Sequence, residues 1–452
     1  MEQDLRAAMK KFEAAGELLQ VRKEVDPDYE LSAVLWRAKR GPAVLFEKVK
    51  GSKMRVIGNV NNTRGKFAIS LDLPRSEILP RLVHGMEKPV KVEVVSNAPC
   101  QQVVIERDID LAKLLPAPRV SEKDAGPYLT AGILIAKHPE TGLRNCSIHR
   151  MQVHGPDTLG VNMAPTHLSK MYQRAGELNE PLQVAVCIGN HPAVMLASNM
   201  YGRLGSDELE MAGALFGKPL QVAKCRTINM EAPAGCEIVL EGEMRPGELK
   251  EEGPFGELMG SYAFRGKRQV FHCKAVTMRE DAIYHHVVGS NHPEHLLIMA
   301  MPREANIYKS AKVTFPRLED INMTEGGCGL FHAVVSIRKT GEGEGKKAIL
   351  TLLTLNDLLK QVTVVDSDID VHDPVMVEWA IATRVRAEKD VVLFPDLKTN
   401  KLDRLANKDG TITKWGIDAT RPLDLPAEVY EYATVPAEIM KKVERDWEQY
   451  LS

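Results

Sequence analysis

The sequence predicts an α+β protein in which a strand-rich middle is flanked by mixed α/β ends. Three observations carry this reading. β-like runs crowd into residues 128–288, helical apolar spacing marks the N-terminal stretch, and strands alternate with a helix after Pro316.

The N-terminal unit, residues 1–107, opens with an amphipathic helix over 2–19, shows helical spacing again from Leu31 to Ala38, and carries strands at Ala43–Phe46 and Val92–Val95. The proline-rich LLPAPRVS within 108–121 reads as a link. In the middle unit, 108–312, the runs LTAGILIAK, RNCSIHRMQV, LQVAVCIG, GCEIVLEGEM, QVFHCKAVTM and AIYHHVV are strand-like, and turn signals such as PETG at 139–142 join several of them. Two short helices interrupt these strands, one after Pro165-Thr166 and one after Ser206. Strands with so few helices favour a barrel or a sandwich over a doubly wound parallel sheet. In the C-terminal unit, 313–452, strand-like HAVVSIRK, helical KKAILTLLTLNDLLK and strand-like QVTVVD alternate, and a charged helix over 436–450 follows.

Composition removes several classes of function. Among 452 residues, 59 Lys and Arg balance 61 Asp and Glu, a net charge of −2, so no global field attracts nucleic acid or anionic lipid. With 44% hydrophobic and 27% charged residues, the chain has enough apolar material for large cores. Its seven cysteines are odd in number and form no CxxC pair, which argues against a disulfide framework and a zinc ribbon and points to a reducing, cytoplasmic compartment. The first residues, MEQDLRAAMKK, lack the pattern of a signal peptide, and no apolar run reaches membrane-spanning length.

Some motifs dissolve under their own structural requirements. GEGEGKK at 341–347 has Lys347 where a phosphate loop needs Ser or Thr and Thr340 where it needs Gly, so it reads as a solvated hairpin tip. DSDID at 366–370 has Val371 where a calcium loop needs Gly, and reads as an exposed turn. His285, His286, His292 and His295 form no dense ligand pattern. EEGPFGE at 251–257 differs: Glu252 and Glu257 flank a Gly-Pro-Phe-Gly segment unsuited to a helix, so the backbone can turn both acids towards one cavity, where close carboxylates split their pKa values. In RNCSIHRMQ, strand period puts Asn145 and Arg150 on opposite faces, so a shared site requires a bulge or a ligand that wraps the strand end. His167 falls in the first turn of a helix capped by Thr166, where free amides and the dipole favour phosphate. Ser206 reads as another N-cap, with Asp207 and Glu208 in its first turn.

Together, NCSIHR, PTHL, ASNM with SDELE nine residues on, and EGPFGE, in this order, resemble the UbiD-type decarboxylases that use prenylated FMN. The resemblance runs through about 145–260 and implies a reversible, non-oxidative decarboxylation of an aromatic or heteroaromatic acid through a covalent adduct with the cofactor. It implies a split β-barrel of the flavin-reductase type for the middle unit and a C-terminal oligomerisation domain that builds dimers or hexamers. Asn145, His167 and Glu208 look like ligands of a divalent Mn or Mg ion bridging to the cofactor phosphate, a donor set suited to a hard or borderline cation. Ala197, Ser198 and Met200, with Glu208 and the Cys146 carbonyl, match a potassium site in relatives. Ser147, Ile148 and His149 fall where the flavin is lined, and Lys360 is a further candidate for the phosphate. Arg150, Glu252 and Glu257 correspond to a catalytic Arg-Glu-Glu group, with Glu257 as proton donor and Arg150-Glu252 as the supporting ion pair. His295 and Arg303, eight residues apart, resemble the branch that converts furan-2,5-dicarboxylate to 2-furoate, although Pro302 is expected to kink or end their helix. A pyrrole or hydroxybenzoate monocarboxylate is the rival substrate. The alternatives to an enzyme are a flavin-binding module without catalysis and a subunit of a multicomponent decarboxylase. A flavin prenyltransferase is the implied cofactor supplier.

Overall fold

The computed structural model describes residues 2–163, 166–202, 205–430 and 432–451. It contains two compact units: the chain up to Ser310 together with Asn322–His332, and Ala311–Ile321 together with the chain from Ala333 onward.

Among the described residues, the largest sheet of the first unit has nine strands. Along its main path lie, in order, Tyr128–Leu129, Met151–Val153, Thr158–Val161, Gly266–Met278, Ile238–Glu252, Leu182–Ile188, Ile133–Lys137 and Arg144–Ile148, with antiparallel pairing throughout. The order has a geometric consequence. Arg144–Ile148 is the last strand of the path and Met151–Val153 is the second, yet only His149 and Arg150 separate them in the chain. Two residues span no more than roughly 10 Å between the flanking strands. The sheet must therefore curl until its far sides meet, which makes it a barrel split at His149-Arg150.

Strands Ile133–Lys137 and Leu182–Ile188 are buried on both faces over nearly their whole length, which explains why ILIAK and LQVAVCI read as continuous apolar runs. Ile133, Ile135, Ala185 and Cys187 point to one core, shared with the helices Ile78–Glu87, Pro192–Ala197 and Glu208–Phe216. The alternating partners Leu134, Ala136, Val184 and Val186 point to the barrel interior with Leu240 and Phe271. A four-stranded sheet combines Leu18–Val21, Ala43–Phe46 and Arg55–Gly58 with Ile283–His285, which pairs in parallel with Arg55–Gly58.

The second unit carries a five-stranded sheet in the order Leu318–Met323, His332–Ile337, Gln361–Asp366, Thr411–Asp418, Val391–Lys398. Helix Glu344–Leu355 packs on its central strands. Gly416 makes the close approach possible, because a Cβ there would stand 2.3 Å from the Ile349 side chain.

Several expectations need correction. The first helix covers Leu5–Ala14, since Gly16 at φ +70° turns the chain into the strand Leu18–Val21. GEGEGKK is no hairpin tip: Gly343, in the left-handed region, caps the helix that starts at Glu344. Asp207, not Ser206, caps the helix Glu208–Phe216, its carboxylate accepting from the Leu209 amide at 2.9 Å. The charged C-terminal helix is two pieces, Ala437–Arg445 and Trp447–Leu451. Pro302 neither ends nor divides the helix Pro293–Thr314. Arg303 Nη1 donates to the Met299 carbonyl at 2.8 Å, one turn back along the same helix. No helix among the described residues is long and apolar enough to cross a membrane.

Candidate active site

At the split of the barrel, the strand expected over RNCSIHRMQ breaks at His149-Arg150, the irregularity that a shared site requires. Arg150 Nε donates to Glu252 Oε1 at 2.8 Å and Nη2 donates to Oε2 at 3.1 Å. Nη1 of the same guanidinium pairs with Glu257 Oε1. One planar fork thus engages two carboxylates, a geometry that lysine cannot supply. Glu252 ends the long strand Ile238–Glu252 and is wholly buried, whereas the Glu257 side chain keeps 19% of its exposure. Between them Phe255–Gly256 pairs with Tyr262–Ala263 as a small hairpin, and the Arg150 guanidinium lies 4.9 Å over the Phe255 ring. Tyr128 packs against Phe255 with ring centroids 4.5 Å apart, and its hydroxyl accepts from the Gly253 amide at 3.2 Å.

A directional chain of hydrogen bonds runs along the strand before Arg150. His149 Nδ1 lies 3.2 Å from the Asn162 carbonyl, which can only accept, so that nitrogen carries the proton. Its Nε2 then accepts from the Ser147 hydroxyl at 2.9 Å, and Ser147 Oγ accepts from Asn145 Nδ2 at 3.2 Å. Burial lowers the His149 pKa to about 4 and keeps the ring neutral. Asn145 Oδ1 is the side-chain oxygen that this chain leaves uncommitted.

Glu208, at the start of its helix, accepts from the Cys146 amide at 2.8 Å, and burial pushes its pKa up to about 8. Cys146, Asp207 and Glu208 bring potential ligand atoms within 4.8 Å of one another. Asp207 is bound by Arg144, which also donates to Glu231 Oε2 at 2.8 Å. His167 is exposed in the first turn of His167–Glu177, a helix packed beside Arg144–Ile148. Ala197, Ser198 and Met200 are buried where Pro192–Ala197 ends, and the Ser198 hydroxyl donates to the Met195 carbonyl at 2.8 Å. Ile148 closes the strand and packs against the core. Lys360 lies in the second unit, 3.1 Å from Asp403.

On helix Pro293–Thr314, His295 Nδ1 donates to the Ser290 carbonyl at 2.9 Å. Its pKa is lowered, first by burial, with the charge of Arg150 contributing. Arg303 is 8% exposed and its guanidinium sits 5.9 Å over the Tyr201 ring. Asp124 escaped the sequence reading. It is buried and holds the Gly256 amide at 2.9 Å, and no motif marks it because the contact spans 132 positions.

Comparison with known proteins places this split barrel, with its buried arginine between two carboxylates, among the carboxy-lyases. The model of the 3-octaprenyl-4-hydroxybenzoate carboxy-lyase Rift-related domain matches residues 92–292, and the corresponding N-terminal and C-terminal domain models match 9–86 and 296–419. The chain belongs to the UbiD family. It is 39% identical to anhydromevalonate phosphate decarboxylase from Methanothermobacter thermautotrophicus over 90% of this chain and 95% of that one. Phenolic acid decarboxylase from Sedimentibacter hydroxybenzoicus is 31% identical over 93% of this chain and 92% of its own. The UbiD-class enzyme HmfF from Pelotomaculum thermopropionicum, solved in complex with FMN, superposes with a TM-score of 0.93 at 42% identity, covering 97% of this chain and 98% of that one. An evolved dimeric form of HmfF, solved with prFMN, gives a TM-score of 0.90 at 40% identity over the same shares.

Proposed function

We propose that the chain uses prenylated FMN to decarboxylate furan-2,5-dicarboxylate to 2-furoate reversibly. The observation that carries this reading is the guanidinium of Arg150 engaging both Glu252 and Glu257. A binding module has no need of a fork that orders a second, partly accessible acid beside a wholly buried one.

The donor set fits the cofactor and its ions. Asn145 Oδ1, the His167 imidazole and the Glu208 carboxylate suit a divalent Mn or Mg ion, and burial raises the pKa of the Glu208 carboxylate. Cys146 and Ala197 carbonyls, with Ser198, Met200 and Glu208, supply oxygen donors for potassium. His149, Ser147 and Ile148 line the cofactor side. When bound, the prenylated flavin supplies the electron sink that lets a carboxyl group leave as carbon dioxide.

The rest falls to this chain. Arg150 grips Glu252 with two hydrogen bonds and fixes the direction of Glu257. Glu257, accessible at its tip, delivers a proton to the carbon that has lost its carboxylate and draws the next proton from solvent. His295 and Arg303 recognise the distal carboxylate, for which a guanidinium offers a bidentate partner. The protein works as a homo-oligomer supplied by a flavin prenyltransferase.

The test is production with and without a co-expressed flavin prenyltransferase, followed by anaerobic incubation with furan-2,5-dicarboxylate, anhydromevalonate phosphate and a panel of phenolic acids. Prenylated FMN in the co-expressed sample with 2-furoate as the main product is the expected result. Prenylated FMN with turnover of another acid alone overturns the substrate, and no cofactor in either sample overturns the ligand assignment. Glu257→Gln is expected to retain the cofactor while losing turnover by roughly two or more orders of magnitude.

A further inference from the structure

Gly256, immediately before Glu257, is held on both sides. The Asp124 carboxylate, 2% exposed, accepts from the Gly256 amide at 2.9 Å and from the Ser121 amide at 2.8 Å. Arg119 fixes Asp124 in turn, donating to its carbonyl at 3.1 and 2.8 Å. On the other side the Gly256 carbonyl accepts from the Ser290 amide at 2.9 Å, and the Ser290 carbonyl accepts from the His295 ring at 2.9 Å. An unbroken path therefore runs from Asp124 through Gly256 and Ser290 to His295.

Ser290 has φ +64°, a conformation that a residue with a Cβ rarely adopts unless its surroundings impose it. The approach is close as well. A Cβ on neighbouring Gly289 would stand 2.8 Å from the Phe255 ring and 3.2 Å from the Gly256 carbonyl. Beyond Ser290 the chain is anchored again, because the buried Glu294 accepts from the amides of Asn59 at 2.8 Å and Asn61 at 2.9 Å. Strain is thus held at the junction between the Glu257 hairpin and the His295 helix.

We propose that Asp124 and Ser290 are positioning residues that lock the Glu257 hairpin to the start of the His295 helix, so that proton delivery and substrate recognition keep one geometry. This rests on the reading of Glu257 as proton donor.

Hydrogen–deuterium exchange of segments 255–263 and 290–297, measured on the cofactor-loaded protein beside kcat and KM for furan-2,5-dicarboxylate, tests the lock. Asp124→Ala removes the grip on Gly256, and Ser290→Pro removes the amide and forbids the positive φ. Each is expected to raise exchange in both segments and lower kcat by about tenfold, the order that one lost hydrogen bond gives, with a smaller change in KM. Ser290→Gly is expected to keep slow exchange, since glycine takes φ +64° freely. Asp124→Asn, which retains one acceptor, recovers part of kcat. If Ser290→Pro does not fold, Asp124→Ala decides. Unchanged exchange at 290–297 in Asp124→Ala overturns the lock. Raised exchange with full kcat in a protein whose Glu257→Gln variant is inactive overturns the positioning role. Should Glu257→Gln turn over normally, the proton-donor reading fails instead, and the exchange data alone judge the coupling.

Discussion

Arg150 and Glu252 form a two-pronged ion pair, at 2.8 and 3.1 Å, that joins the seam of a curled sheet to the last residue of its longest strand. Glu252 has no exposure, and both of its carboxylate oxygens accept from Arg150. Arg150→Met is expected to destabilise the protein by about 3–5 kcal/mol, the cost of stranding a buried carboxylate. Adding Glu252→Gln should return part of that loss. Urea denaturation of both single variants and the double variant measures the coupling, and strictly additive losses would show that the pair contributes nothing jointly.

Buried histidines set an acid limit. His149 has a folded pKa of about 4 against an ordinary 6.5, so in this window the unfolded chain binds the extra proton. Its contribution is complete above pH 6.5 and declines as pH falls towards 4, by about 1.4 kcal/mol per pH unit at most. His149→Gln should flatten that part of a stability-against-pH curve, and a slope equal to that of the parent protein would deny the neutral ring.

Glu208 runs the other way. With its pKa raised to about 8 from 4.5, its share of the stability of ion-free protein is full below pH 4.5 and is lost as pH rises through 8. A divalent ion in contact with the carboxylate should reverse this. Melting temperatures at pH 6 and pH 8, with and without Mn, are expected to show the larger Mn-dependent gain at the higher pH. Glu208→Gln should abolish the gain, and an equal gain in that variant would remove Glu208 from the ligand set.

Much of this was legible in local pattern and some was not. Ala43–Phe46 reads as a strand from its own residues, and EEGPFGE announces a turn because Gly and Pro exclude a helix. The RNCSIHRMQ run signalled that Asn145 and Arg150 cannot share a strand face, and the break at His149-Arg150 meets that requirement. Helix Pro293–Thr314 shows where local rules lose: Pro302 sits inside it, and packing of buried Ile298, Met301 and Ala305 keeps the helix continuous. Asp124 and Ser290 left no trace, because backbone amides far away in the chain define their contacts and carry no side-chain signature.

Substrate choice should reside on that same helix. Arg303→Ala is expected to raise the KM for furan-2,5-dicarboxylate by about tenfold or more, the loss of a charge-assisted contact, with a smaller effect on kcat. Steady-state kinetics decide, and an unchanged KM removes Arg303 from recognition of the distal carboxylate.

The two-residue seam at His149-Arg150 ties assembly to chemistry. Since the far sides of the sheet are brought together by the residues that also present the guanidinium, closing the barrel and placing Arg150 are one event. A copy whose seam stayed open would leave Glu252 without its bidentate partner.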